Sequence, residues 1–166
     1  MTATLAASPN SASPDTASPI SAPTALDRIP MPPSAALLGW HMLDHDAERG
    51  WVRVGFQARP EFRNPAGFVQ GGMLVAMLDD TMGPAIWLKT DGALFSTTID
   101  LTISFLNPAN PGLLIGEASV VQHGRTIAFL EGRLSDAQGR LLCRATASAR
   151  LVPAGRITDT SPVSAA

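Results

Sequence analysis

The stretch NPAGFVQGGMLVAMLDDTMGPAIWL, Asn64 to Leu88, reads in its second half as a helix with almost no polar face. A surface helix keeps one apolar stripe, whereas a helix that is apolar all round is covered all round. Two adjacent acids, Asp79 and Asp80, sit in its middle. Three and four positions away, Asp79 has Val75, Ala76, Met82 and Gly83, and Asp80 has Ala76, Met77, Gly83 and Pro84. Neither acid has a polar face to lie on. The helix is expected to start after Gly71-Gly72, run to about Leu88 and be wrapped by a curved sheet, with its remaining surface against another subunit. Pro84 removes the helical hydrogen bond to the Asp80 carbonyl and predicts a kink there. Gly72, Ala76 and Gly83 permit close approach of another backbone.

Strand patterns surround this helix. In GWVRVGFQA, Val52, Val54 and Phe56 alternate with Arg53, Gly55 and Gln57. In TTIDLTISFL, Ile99, Leu101, Ile103 and Phe105 alternate with Thr98, Asp100, Thr102 and Ser104. A period of two marks a half-buried strand. LLIGEASVVQ and RTIAFLEGRL follow with His123-Gly124 between them, the place for a tight antiparallel turn. DAQGR is a second turn. LLCRATASARL then alternates Leu141, Cys143, Ala145, Ala147 and Ala149 with Leu142, Arg144, Thr146, Ser148 and Arg150. SAALLGW predicts a short helix with Ser34 as N-cap. The order is early strands, one central helix, then a run of antiparallel strands, an α+β arrangement.

The first 33 residues are rich in Ala, Ser, Pro and Thr. Such composition cannot bury enough surface to offset the entropy of ordering, so residues 1–33 are predicted as a disordered tail. Residues 154–166 look like a second frayed end, leaving one domain over 34–153. The net charge is -2 and no Lys/Arg block occurs, so nucleic-acid binding has no electrostatic footprint. No apolar run is long enough to span a bilayer, and no secretory signal is evident. A single cysteine excludes an internal disulfide and suits a reducing, cytoplasmic setting.

The motif Asn64-x5-Gln70-Gly71-Gly72-x6-Asp79 resembles the signature of PaaI-type acyl-CoA thioesterases, relatives of the type II 4-hydroxybenzoyl-CoA thioesterases. The resemblance continues through SFLNPANPG and HGRTIAFLEGRLSDAQGRLLCRATA. It implies the hotdog fold, a curved antiparallel sheet around one long helix, and hydrolysis of an acyl-CoA without cofactor or metal. Gln70 stands where the family more often has His. Glutamine donates and accepts hydrogen bonds but cannot ionise, so position 70 cannot be a general acid or base.

Hydrolysis of a thioester needs a donor for the carbonyl oxygen, an activated water or a nucleophile, and a place for the acyl group. The resemblance gives the first role to the Gly71 amide at the helix N-terminus, where the dipole and the missing Cβ suit a developing oxyanion. It selects Asp79 over Asp80 as general base or nucleophile, two roles that stay open. Asn64 would position the thioester or water, and Thr98 would hold the water. Gly72, Phe68, Met73 and Met77 would hold the acyl group, and Arg125 would meet a CoA phosphate. The resemblance also implies subunits paired side by side, with Asp79 and Thr98 from one chain and Asn64 and Gln70 from the other. A dimer, or a tetramer made of two dimers, follows independently from the uncovered helix face and edge strand.

Other residues read as structural. Asp80 is expected to be an interface partner for an Arg or a backbone amide. Cys143 lies on the apolar phase of its strand as an inert core thiol. His41 and His45 have i, i+4 spacing but no metal-binding context. Two rivals remain: a non-catalytic hotdog module that binds acyl-CoA, and a hotdog hydratase, which would want a His near the central motif.

Overall fold

The computed structural model describes residues 23–156. Residues 1–22 of the predicted tail and 157–166 at the other end lie outside the described residues. Six antiparallel strands form one sheet: β1 (His41–Asp46), β2 (Trp51–Ala58), β3 (Leu94–Phe105), β4 (Gly112–His123), β5 (Ile127–Asp136) and β6 (Leu141–Pro153). Their spatial order is β1-β2-β4-β5-β6-β3. Two helices accompany them, α1 (Pro33–Leu38) and α2 (Gly71–Lys89). No helix among the described residues is long and apolar enough to cross a membrane.

The central helix α2 packs against β2, β3, β4 and β5. From β2 to the β3 edge the sheet is five strands wide, about 19 Å at the usual strand spacing. A helix is only about 10 Å across. The sheet therefore has to curl to touch it on both sides. The inward residues Val52, Val54, Phe56, Leu114 and Leu134 meet Met77, Leu78 and Ile86 of the helix, all 1% exposed or less. Burying each such side chain stabilises the fold by about 1.5–3 kcal/mol. Gly116 makes the close approach possible, because a Cβ there would run into the Thr81 side chain and the Phe56 ring. Thr81 is itself fully buried and donates to the Met77 carbonyl at 2.7 Å.

Three expectations need correction. The alternation drawn through TTIDLTISFL breaks at a β-bulge between Thr98 and Asp100 in the pairing with β6. The extra residue shifts the phase, so Thr98 turns toward the helix and Ile99 is left 61% exposed. Ser34 is not an N-cap: Pro32 holds that position without a side-chain hydrogen bond, and Pro33 opens α1, where its missing N–H costs nothing. Order also begins before residue 34. Ala25–Arg28 forms a 3-10 turn closed by a reciprocal cap between Thr24 and Asp27. The Trp87 indole N–H donates to the Ala25 carbonyl at 2.9 Å, fastening this turn to α2.

Candidate active site

The loop before α2 is built by Asn64. Its side-chain oxygen accepts from the amides of Ala66 at 3.0 Å and Phe68 at 3.2 Å, an arrangement that sets the turn locally. Gln70 is the N-cap by backbone, its carbonyl accepting from Met73 and Leu74, with no capping bond from its side chain. The first helical amides, those of Gly71 and Gly72, have no carbonyl one turn back to bond. A Cβ on Gly72 would meet nothing within 4 Å, and one on Gly71 would meet only the Phe105 ring at 3.4 Å. The helix start is thus open on the side of Gly72 and flanked by Phe105 on that of Gly71.

Two turns further on, Asp79 meets β3. The Thr98 hydroxyl donates to Asp79 Oδ1 at 2.7 Å. This bond exists because the bulge after Thr98 aims its side chain inward. Asp79 is exposed in the single chain. Asp80 behaves differently. Its Oδ2 is sealed from water and makes no hydrogen bond among the described residues. Burial, and secondarily the neighbouring Asp79 charge, push the Asp80 carboxyl above the usual range.

Asp79, Asp80 and Thr98 line one cavity of about 960 Å³. Its other walls come from the segment around Leu26 and Met31, from Trp40 and Met42 beside and on β1, and from Trp87 and Phe95. The acyl-lining candidates Met73, Met77 and Phe68 do not border this cavity. Met77 is fully buried on the sheet side of α2 and belongs to the core, whereas Phe68 sits on the loop and Met73 packs partly against the core. Arg125 is exposed in the β4–β5 turn, away from the cavity wall. His45, which carried no role in the sequence, does line the cavity. His41 shares β1 with it, four residues and about 13 Å away, too far for one shared ion. Among the described residues no three His, Cys, Asp or Glu side chains are grouped to hold a metal. Cys143 is buried, and burial pushes its thiol up to about 11, so it is unreactive near neutral pH.

The family model of the thioesterase superfamily matches residues 66–143, from the Asn64 loop into β6. A Saccharolobus solfataricus protein whose name places it among the esterases is 32% identical over 61% of this chain and 71% of its own length. The chain belongs to the thioesterase superfamily. This thioesterase shares its fold with the phenylacetic acid degradation-related protein of Ralstonia eutropha, 39% identical, with TM-score 0.68 over 76% of this chain and 95% of that one. A Bacillus halodurans protein solved with CoA is 26% identical, with TM-score 0.57 over 60% and 70% of the two chains. The thioesterase is thus a hydrolase of the PaaI type with the hotdog fold, as its motif implies.

Proposed function

We propose that the chain hydrolyses acyl-CoA thioesters, with Asp79 as base or nucleophile and the Gly71 amide of a second copy polarising the carbonyl. The observation that carries this reading is the Thr98–Asp79 hydrogen bond at the cavity wall. It engages Oδ1 and leaves Oδ2 of Asp79 for chemistry. As a base, Asp79 takes a proton from water while the water oxygen bonds to the thioester carbon. The oxyanion is held by the Gly71 N–H. Collapse breaks the carbon–sulfur bond, and the departing thiolate recovers the proton from Asp79. As a nucleophile, Asp79 attacks the carbonyl carbon and expels the CoA thiolate; water then opens the mixed anhydride, which frees the acid, restores the Asp79 carboxylate and supplies the proton the thiolate takes up. The CoA-bound neighbour supports CoA as the thiol carrier, and family membership favours the hydrolase over the non-catalytic module.

A second copy is required by distance. Eight residues separate Gly71 from Asp79, about 12 Å along one helix. Gly71 stands beside Phe105 and Asp79 beside Thr98. An antiparallel pairing of two β3 edges centred between Leu101 and Thr102 sets Thr98 of one copy opposite Phe105 of the other. That brings Asp79 and Gly71 of different copies to one place, twice per dimer. Gln70 and Asn64 then stand beside the partner's acid, Asn64 chiefly as the builder of its loop.

Asp79→Asn tests the assignment. Release of free thiol from acyl-CoA esters should fall by roughly 10²–10⁴-fold with an unchanged circular dichroism spectrum. Full turnover in that variant refutes the role of Asp79.

A further inference from the structure

Asp79 has a hydroxyl on one oxygen, and its use as a base needs a water on the other. Thr98, the residue expected to hold that water, already donates its proton to Asp79 Oδ1. A second hydroxyl stands on the same side of β3. Successive side chains of a strand point to opposite faces, so Ser96 shares the inward face with Thr98, about 7 Å along the strand. The bulge lies after Thr98 and leaves these two in step. On the helix, Gly83 lies one turn beyond Asp79, about 6 Å along the axis. Strand and helix therefore meet at two levels. Thr98 touches Asp79 at 2.7 Å, and Ser96 Oγ lies 4.0 Å from the point where a Cβ on Gly83 would stand. Beyond the chain neighbours of Gly83 and the helix backbone, no other described atom comes that close to this point. We propose that Ser96 holds the attacking water from the side away from Asp79, so that the carboxylate works as a base. The proposal rests on the thioesterase reading above and chooses between its two routes.

The gap suits one water. By the element spacings, Ser96 Oγ and the Asp79 carboxylate stand about 6 Å apart, too far for a direct bond. Two hydrogen bonds of about 2.8 Å laid end to end reach about 5.6 Å. A water there gives one hydrogen to Asp79 Oδ2 and the other to Ser96 Oγ, which has two lone pairs to accept it. The water's own lone pair is left to face the thioester carbon. In the step itself the water oxygen bonds to that carbon, and the proton on the Asp79 side passes to Oδ2. The carbonyl π pair becomes the oxyanion at the Gly71 N–H of the second copy. The proton on the Ser96 side stays on the oxygen and leaves with the acid. Collapse breaks the carbon–sulfur bond, and the thiolate recovers the proton from Asp79. Ser96 ends the cycle as it began, having only oriented the water. Asp79, Gly83, Ser96 and Thr98 all border the same cavity, with Asp79 exposed and Ser96 half-buried, so solvent reaches the gap. Gly83 carries no side chain to fill it. The competing account makes Ser96 an ordinary strand residue without a part in turnover.

The test follows release of free thiol from a panel of acyl-CoA esters by the full chain. Ser96→Ala should lower kcat by about 10–100-fold and leave KM within about twofold, with an unchanged circular dichroism spectrum. A returned hydroxyl should restore most of the loss, either in Ser96→Thr or in Ser96→Ala combined with Gly83→Ser, which offers the group from the helix side of the gap. A single turnover in water labelled with heavy oxygen, enzyme in excess, should place the label in the acid product and none in the Asp79 carboxylate, read by mass spectrometry of the peptide. A kcat in Ser96→Ala within about twofold of the natural value overturns the proposal alone, as does a loss confined to KM or one that neither hydroxyl repairs. Label in the Asp79 carboxylate establishes the nucleophile route and overturns it too. Absence of thiol release from every ester, or full turnover in Asp79→Asn, overturns the thioesterase site and the role of Ser96 with it.

Discussion

Asp79 and Asp80 are adjacent, yet one carboxyl is exposed with a hydroxyl fixed to it, and the other has one oxygen sealed from water with no partner among the described residues. For Asp79 the Thr98 bond is the lever. Thr98→Val removes one hydrogen bond to a charged group, worth about 1.5–3 kcal/mol. We expect kcat to fall about 10–100-fold with KM little changed, and Thr98→Ser to restore most of it; an unaltered kcat in Thr98→Val removes Thr98 from the site. For Asp80 the lever is pH. Its carboxyl holds its proton to a higher pH in the folded chain than in the unfolded one, mainly through burial. The folded state therefore binds more protons between the ordinary carboxylate value and the raised one, and stability falls as pH climbs through that window. Below the window the deficit vanishes; above it the deficit is complete. Asp80→Asn should raise the melting temperature at neutral pH by roughly 2–5 °C and leave it nearly unchanged in acid. Equal shifts at both pH values count against a titrating Asp80. The motif singled out Asp79 in the sequence, and the structure sets it against Thr98. That Asp80 and Trp40 border one cavity was not legible, because they lie on different elements and only the folded backbone brings them there.

The helix and most strands could be read because their periods are local. α2 begins at Gly71, β2 buries the residues its alternation selects, and β6 does so from Cys143 onward, whereas at its start Leu142 is buried in place of Leu141. The bulge in β3 could not be read, since Thr98 and Ile99 fit either phase and the choice is made by pairing with β6. The fastened N-terminal turn escaped for another reason. Averaged over 33 residues the composition looks like a tail, and the average hides a four-residue unit. The Thr24-x-x-Asp27 spacing was the local clue, and Trp87 supplies the anchor. At this scale the firmest test is the helix–sheet contact. Gly116→Ala drives a Cβ into Thr81 and Phe56. Overpacking of that kind costs about 1–3 kcal/mol, so the urea midpoint should fall with an unchanged slope. A midpoint equal to that of the natural protein would mean that α2 lies farther from β4 than described.

The sheet ends in two edges that differ in kind. β1 is six residues long, carries Asp44, His45 and Asp46, and is bulged between Met42 and Asp44. Short, charged and irregular edges resist pairing with another chain. β3 is twelve residues long, and Phe95, Ile99 and Phe105 on it are 42%, 61% and 54% exposed. A long apolar edge left open would recruit other chains without control, so a defined partner is the stable outcome. The proposed chemistry asks for the same edge, because only a second copy can bring a Gly71 amide to Asp79. Assembly and turnover should therefore fail together. Ile99→Lys places a charge on that edge outside the helix core. Light scattering should find the natural protein at a multiple of its 17.4 kDa chain mass and the variant shifted to that mass. Thiol release should fall with the assembled fraction and recover as protein concentration is raised. A monomeric Ile99→Lys chain with full turnover would show that one copy holds a complete site, and the oxyanion donor would then have to be sought within the chain that carries Asp79.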